Sequence, residues 1–247
     1  MSAVLAGRRA VLEALRGGNR RVTRVCLLGG GRGGILRELR DAAERAGVPV
    51  EEAAREALDG LAGGRPHQGV VALAEIAGEP ELADILDRAR ARGEPPFVVV
   101  LDEIKDPQNA GAIVRTAECA GAHGVVMTIH RSAPPGQGME RSSAGAIEHL
   151  PVVRVVNLRM ALERLKEAGC WAVGADMEGT KLHTGADFAG PVAVVLGEEG
   201  KGLRELTKRT CDELVRIPMK GRIGSLNVSA AAAVLCFEVV RQRGLVR

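Results

Sequence analysis

Three segments in the second half of the chain set glycines beside side chains that could orient a bound molecule. The first is LDEIKDPQNAGAIVRTAECAGA at 101–122. A candidate strand ends there in acids, Asp106-Pro107 turns the chain, and Asn109 stands where a helix N-cap belongs. Arg115 follows about one and a half turns into that helix. The second is AVVLGEEGKGL at 193–203, a strand running into a glycine loop that carries Glu198 and Glu199. The third is RIPMKGRIGSLNVSAAAAVLCFEVV at 216–240, where Ser225, Leu226 and Asn227 lead into an alanine-rich helix. Taken singly, each has an ordinary reading: a cap, a surface ion pair, a strand-to-helix turn, close helix packing. Taken together they are three strand-end loops pairing glycine with Asn, Ser or Glu. Binding a small cofactor needs that combination, because backbone can approach closely and a few polar groups fix orientation.

Other patterns carry less. GGGRGG at 29–34 matches the G-x-G-x-x-G of dinucleotide sites, and Glu51 or Glu52 lies about 20 residues on, as a ribose-binding acid would. With 32 glycines in the chain, such matches arise readily by chance, and the unit is short for a nucleotide-binding half-sheet. A nicotinamide-dependent oxidoreductase is the reading it would support. GEEGKG at 197–202 lacks phosphate-loop spacing, and RSSAG at 141–145 lacks the first glycine of a nucleophile elbow. The five histidines and five cysteines show neither metal-ligand nor C-x-x-C spacing, so no metal site and no disulfide framework are expected.

These loops need elements to hold them. After residue 96, strands are expected at 97–101, 124–128, 152–156, 171–175, 191–196 and 213–217. Helices are expected at 109–120, 157–168, 202–209 and 225–241. Strict alternation implies an α/β fold with a parallel sheet covered on both faces, and ligands in such sheets sit beyond the carboxyl ends of the strands. The first 76 residues read as a separate small α/β unit, with helices at 6–16, 35–46 and 53–61 and strands at 22–28, 48–51 and 69–74. Glycines and prolines around one polar helix at 81–91 mark 77–96 as a linker, leaving 97–247 as the second domain.

Of 247 residues 46% are hydrophobic, which with mixed charge argues for a folded protein. No apolar run is long enough for a membrane span, and the first residues lack the order of a signal peptide, so a cytoplasmic protein without membrane partners is expected. The net charge of +3 resides in residues 1–75, with 12 basic and 9 acidic side chains. Arg8, Arg9, Arg16, Arg20, Arg21 and Arg24 cluster there against Glu13 alone, a pattern suited to phosphate contact. Aromatic residues make up 2% and Tyr is absent, so nucleic-acid recognition by ring stacking is not expected.

DPQNAGAIVRTA, VLGEEGKGL and IPMKGRIGSLNVSAAAAVLCFE resemble, in order and spacing, the three signature motifs of the SpoU/TrmH class of RNA ribose 2′-O-methyltransferases, over residues 97–247. RSSAGAIEHLPVVRVVNL at 141–158 looks like the family's connecting segment. GRRAVLEAL, with HQGVVALAE at 67–75, is similar to the RNA-binding substrate domain of the RlmB-like subgroup, which modifies a guanosine in bacterial large-subunit ribosomal RNA. The resemblance implies a SPOUT-type catalytic domain with a C-terminal trefoil knot and a homodimer with its site at the subunit interface. It implies S-adenosylmethionine as cofactor and large-subunit ribosomal RNA as partner. Carried over by motif, Gly197, Ile217 and Leu226 would bind the cofactor, and Asn109, Arg115, Glu199, Ser225 and Asn227 would form the catalytic constellation. Arg8, Arg9, Arg20 and Arg21 would contact RNA. Glu198 stands where a small residue is common in the family. The motifs do not choose the RNA. A transfer-RNA enzyme of the same family is one alternative, and a non-catalytic RNA-binding or ribosome-assembly protein is another.

Overall fold

The computed structural model describes residues 2–17, 20–30, 33–76, 78–134 and 136–244. The chain forms two compact units, Met1–Glu79 with Ala144–His149, and Pro80–Ser143 with Leu150–Arg247.

The first unit runs β1 (Ser2–Ala6), α1 (Arg8–Arg16), β2 (Arg20–Leu28), α2 (Gly34–Arg45), β3 (Val50–Ala53), α3 (Arg55–Ala62) and β4 (Val70–Ile76). Its sheet is mixed, in the order β1-β4-β2-β3, with β2 and β3 parallel and the other two pairs antiparallel. The core is built from Val11, Leu12, Val25, Leu27, Leu39, Val70 and Ala72, and residues 1–96 contain no Phe, Trp or Tyr. β1 was not expected from the sequence. Its SAVLA is alanine-bearing and short, and its pairing with β4 spans some seventy positions. Arg20 and Arg21 open β2 rather than lying in a loop. The acids proposed for a ribose are engaged otherwise: Glu51 lies 3.3 Å from Arg24 and Glu52 2.7 Å from Arg40. The sheet itself argues against the dinucleotide reading, because among the described residues its one parallel pair is β2 with β3, short of a parallel nucleotide-binding half-sheet. Gly31 and Arg32 of the glycine loop lie outside the described residues. The inset 144–149 contributes Glu148, 3.4 Å from Arg20 Nε, and His149, whose Nε2 is 2.7 Å from Glu13 Oε2.

The second unit runs α4 (Leu82–Arg92), β5 (Phe97–Leu101), α5 (Pro107–Cys119), β6 (Gly124–Thr128), α6 (Gln137–Ser143), β7 (Val152–Val155), α7 (Leu158–Glu167), β8 (Trp171–Ala175), β9 (Lys181–Leu182), β10 (Val192–Leu196), α8 (Glu205–Thr210), β11 (Glu213–Arg216) and α9 (Val228–Gln242). Seven strands form one parallel sheet, in the order β7-β6-β5-β10-β8-β11-β9. FVVVL, GVVMT and VAVVL are buried at every position, as continuous apolar runs in a doubly covered sheet must be. From β8 the chain visits the edge as β9, returns to the centre as β10, then crosses back over β8 to form β11. This order sets the carboxyl ends of β5, β10, β8 and β11 side by side. The helix assigned to a linker belongs to this unit: Ile85 and Ala89 of α4 are fully buried, and Ile85 packs with Val98, Val126 and Leu162. At the opposite end of the sheet Arg243 donates to the carbonyls of Pro95 (2.8 Å), Pro96 (3.1 Å) and Gly190 (2.7 Å). Trp171, the one tryptophan, opens β8 half exposed. Among the described residues no helix is long and apolar enough to cross a membrane.

Candidate active site

α5 is capped by Asp106, whose Oδ1 accepts from Gln108 N at 2.9 Å, with Pro107 at the first helical position. Asn109 is therefore not the cap. It sits in the first turn with its side chain free to reach outward. Its Oδ1 accepts from Asn227 Nδ2 (3.1 Å), and its Nδ2 lies 3.5 Å from Glu199 Oε2. Asn227 is the cap of α9: its Oδ1 accepts from Ser229 N (2.9 Å) and Ser229 Oγ (2.6 Å). Its Nδ2 also donates to Glu199 Oε2 at 3.0 Å. One residue from each of the three segments thus meets in a single cluster.

The doubled acid divides its work. Glu198 turns to Lys105 Nζ (2.8 Å) and Lys201 Nζ (3.3 Å), and the Lys105 hydrogen bond foremost holds its carboxyl below the usual range. Glu199 alone faces the two asparagines. The acids ending β5 are anchors. Asp102 is buried and takes Arg204 N (3.1 Å), Nε (2.7 Å) and Nη2 (2.6 Å), while Glu103 takes Arg204 Nη1 at 3.0 Å. They fasten the loop after β10 to the strand beside it. Within that loop Gly197 has no room for a side chain, because a Cβ would overlap the Gly202 carbonyl. Gly202 has φ +71°, and a Cβ there would meet Asp176 Oδ2 at 2.6 Å.

A cavity of about 290 Å³ opens beside this loop. Its walls include Gly197, Ile217 and Leu226, the three residues expected to hold a cofactor, together with Glu199 and Ser225. Residues that sequence reasoning did not single out complete it. Buried Asp176 accepts from Leu203 N (3.2 Å) and Glu178 N (3.0 Å). Lys208 Nζ lies 2.6 Å from Glu178 and 3.3 Å from Asp176, and the Glu178 hydrogen bond is the main cause of its raised pKa. The available signal was position: Asp176 directly follows a strand that the alternation identifies.

Arg115 stands apart. It is exposed on α5, six residues and so about 120° around the helix from Asn109. Its side chain forms no hydrogen bond or ion pair among the described residues. The four arginines expected to contact RNA lie in the first unit. Arg8 Nε donates to Gln68 O (3.0 Å), Arg9 is exposed, Arg20 pairs with Glu148, and Arg21 is 84% exposed at 3.8 Å from Glu75.

Comparison with known proteins bears on both units. The SpoU rRNA Methylase family model matches residues 96–237. A model described as RNA 2′-O ribose methyltransferase substrate binding matches residues 4–80. The 23S rRNA (guanosine-2′-O-)-methyltransferase RlmB of Ralstonia nicotianae is 41% identical over 246 residues, covering 99% of this chain and 98% of its own. The SpoU methyltransferase AviRb of Streptomyces viridochromogenes, solved in complex with AdoMet, superposes with a TM-score of 0.78 at 29% identity, covering 100% of this chain and 92% of its own. An AdoMet-bound rRNA methyltransferase of Sinorhizobium meliloti gives a TM-score of 0.76 at 25% identity, covering 100% and 88%. The first model spans more than half the chain and contains every residue of the Asn109, Glu199 and Asn227 cluster and of the cavity beside it, so this chain belongs to the SpoU rRNA methylase family.

Proposed function

We infer that the chain transfers a methyl group from S-adenosylmethionine to a ribose 2′-hydroxyl of RNA, and that its target is a guanosine of 23S ribosomal RNA. The observation that carries the reading is convergence. Three loops, distant in sequence, bring Asn109, Glu199 and Asn227 together at the rim of a cleft walled by Gly197, Ile217 and Leu226.

The residues present fit that cofactor. Ile217, Met219 and Leu226 offer apolar walls for a purine, and Gly197, bare of a side chain, lets the loop fold back against Gly202 to form the wall of the cleft. When bound, S-adenosylmethionine supplies a methyl group on positively charged sulfur, ready for an oxygen nucleophile. The chain's own residues do the rest. Asn227 and Asn109 hold the Glu199 carboxylate, fixing the loop that forms the cleft wall. Ser225 shapes the last loop. Arg115, whose guanidinium has donors and no acceptor, would grip the target phosphate and polarise the hydroxyl rather than act as a base. The proton then leaves late, to water.

Arg115 lies outside its own chain's cluster, which supports a homodimer in which a second copy completes the site. α9 offers a surface for this: Phe237 is 50% exposed beside Ala233 and Val234, next to the packed helix α5. The first unit would bind ribosomal RNA through Arg9 and Arg21 above all, in the cytoplasm where ribosomal subunits assemble.

The test is calorimetric titration with S-adenosylhomocysteine, followed by mapping of ribose methylation on 23S ribosomal RNA incubated with protein and cofactor. Binding near one per chain and one new 2′-O-methylguanosine are expected. Absence of binding both with and without RNA would overturn the reading.

A further inference from the structure

The cleft occupies the carboxyl ends of β8, β10 and β11. The same edge of the sheet continues past β5 to β6 and β7, and there the surface changes character. Thr128 pairs with Val155 in register, and Ile129 N donates to Val155 O at 2.9 Å, so the two strands end side by side. The next side chains out are apolar and lie in water: Ile129 is 37% exposed and Val156 71%. Met160, in the first turn of α7, is 51% exposed. Ile129 and Val156 follow two paired strand ends and Met160 follows Val156 by four residues, and exposed apolar side chains rimmed by polar groups are the kind of surface that takes a partner. Basic groups surround them. Arg131 is 74% exposed and Arg159 54%, and His130 is exposed between the strand ends and Arg131. Arg154 Nη2 donates to Ile129 O at 3.2 Å. Two acids face this group. Glu103 lies 3.6 Å from Arg131 and is shared with Arg204, and Glu163 lies 2.8 Å from Arg159.

The loop is set in place rather than loose. Thr128 Oγ1 and Ser132 Oγ are hydrogen bonded, and Ala133 N donates to Ile104 O at 2.7 Å. Ile104 belongs to the stretch that ends at Asn109. The apolar patch and the catalytic cluster therefore hang on the same few residues of backbone.

We propose that this patch is a second contact surface for the substrate RNA, taking the strand next to the target ribose. Bases lie on Ile129, Val156 and Met160, and Arg131 and Arg159 take phosphates. The proposal rests on the methyltransferase reading above. RNA is favoured over a protein partner because the apolar centre is framed by arginine and histidine and because it continues the edge where the reaction takes place.

Two double variants test it, Arg131→Ala with Arg159→Ala, and Val156→Ser with Met160→Ser. The probe is a 23S ribosomal RNA fragment transcribed in vitro. Each variant is expected to raise the RNA KM roughly tenfold, and the arginine pair to flatten the salt dependence of RNA binding. S-adenosylhomocysteine affinity and turnover at saturating RNA should stay within about twofold of the parent. An unchanged KM in both variants would overturn the proposal. So would loss of the oligomer in sedimentation, which would make the patch an interface between copies. If the parent protein transfers no methyl to RNA, the function reading fails instead, and direct RNA binding by the same variants still decides the patch.

Discussion

Asn227 satisfies the first turn of α9 through Oδ1 and holds Glu199 through Nδ2, so two substitutions there should part stability from activity. Asn227→Ala removes the cap and should cost about 1 kcal/mol together with turnover. Asn227→Asp keeps an accepting oxygen for the cap but sets a carboxylate against Glu199. It should keep the cap's share of stability and still lose cofactor affinity, which calorimetric titration beside a thermal scan of both variants would show. Arg115→Ala should lower turnover by about a hundredfold or more with S-adenosylhomocysteine affinity unchanged, and near-normal turnover would remove Arg115 from the mechanism. At this scale the sequence is only partly legible. DPQN contains two good caps three residues apart, and only the preference of Pro107 for the first helical position selects Asp106 over Asn109. Which of Glu198 and Glu199 faces the two asparagines is set by Lys105, 93 positions from Glu198, and no local reading sees that far. Asp176 gains its meaning from Leu203 and Lys208, equally remote in sequence.

The elements that read most clearly are those whose surroundings are uniform. FVVVL and VAVVL can only be buried strands, and their expected bounds agree with the observed ones to within a residue. α6 and β9 did not announce themselves: QGMERSS is short and mostly polar, and β9 has two residues held by β11. The polar composition of α4 reads as a linker, yet its narrow apolar stripe suffices to bury Ile85 and Ala89. α9 ends in a pH-sensitive clasp. Arg241 foremost, then Gln242, holds the Glu238 carboxyl down to about 2, against an ordinary value of 4.5. A depressed carboxylate stabilises the fold above its ordinary pKa, and that contribution is lost as pH falls from there through about 2. Glu238→Gln should therefore destabilise the protein at neutral pH and flatten the acid limb of its stability curve, read by denaturant unfolding at stepped pH.

At the scale of the molecule, the charge excess of the first unit is smaller in effect than in count. Arg16 pairs with Glu38 at 2.5 Å, Arg24 with Glu51 at 3.3 Å, and Arg20 with buried Glu148. Arg9 and Arg21 remain the exposed candidates for phosphate. Replacing both with Ala should weaken RNA binding and reduce its salt slope by about one to two phosphate contacts, measured by titration across ionic strengths. Arg20→Ala should instead lower the thermal stability of the first unit. The chain passes from the first unit to the second at Glu79 and Pro80, among the glycines and prolines that the sequence concentrates there. The inset of 144–149 into the first unit was not legible in the sequence, because it depends on Glu13 and Arg20 meeting His149 and Glu148 from more than a hundred residues away.

The aliphatic core of the first unit also has an optical consequence. Residues 1–96 hold no Phe, Trp or Tyr, and Trp171 is the only indole in the chain, at the half-exposed start of β8. Ultraviolet emission and near-ultraviolet dichroism are therefore blind to the first unit and report the second alone. A calorimetric trace records the heat of both. Wherever the two curves part, the difference belongs to the unit without chromophores, so each half of this chain can be followed through melting without a label or a cut.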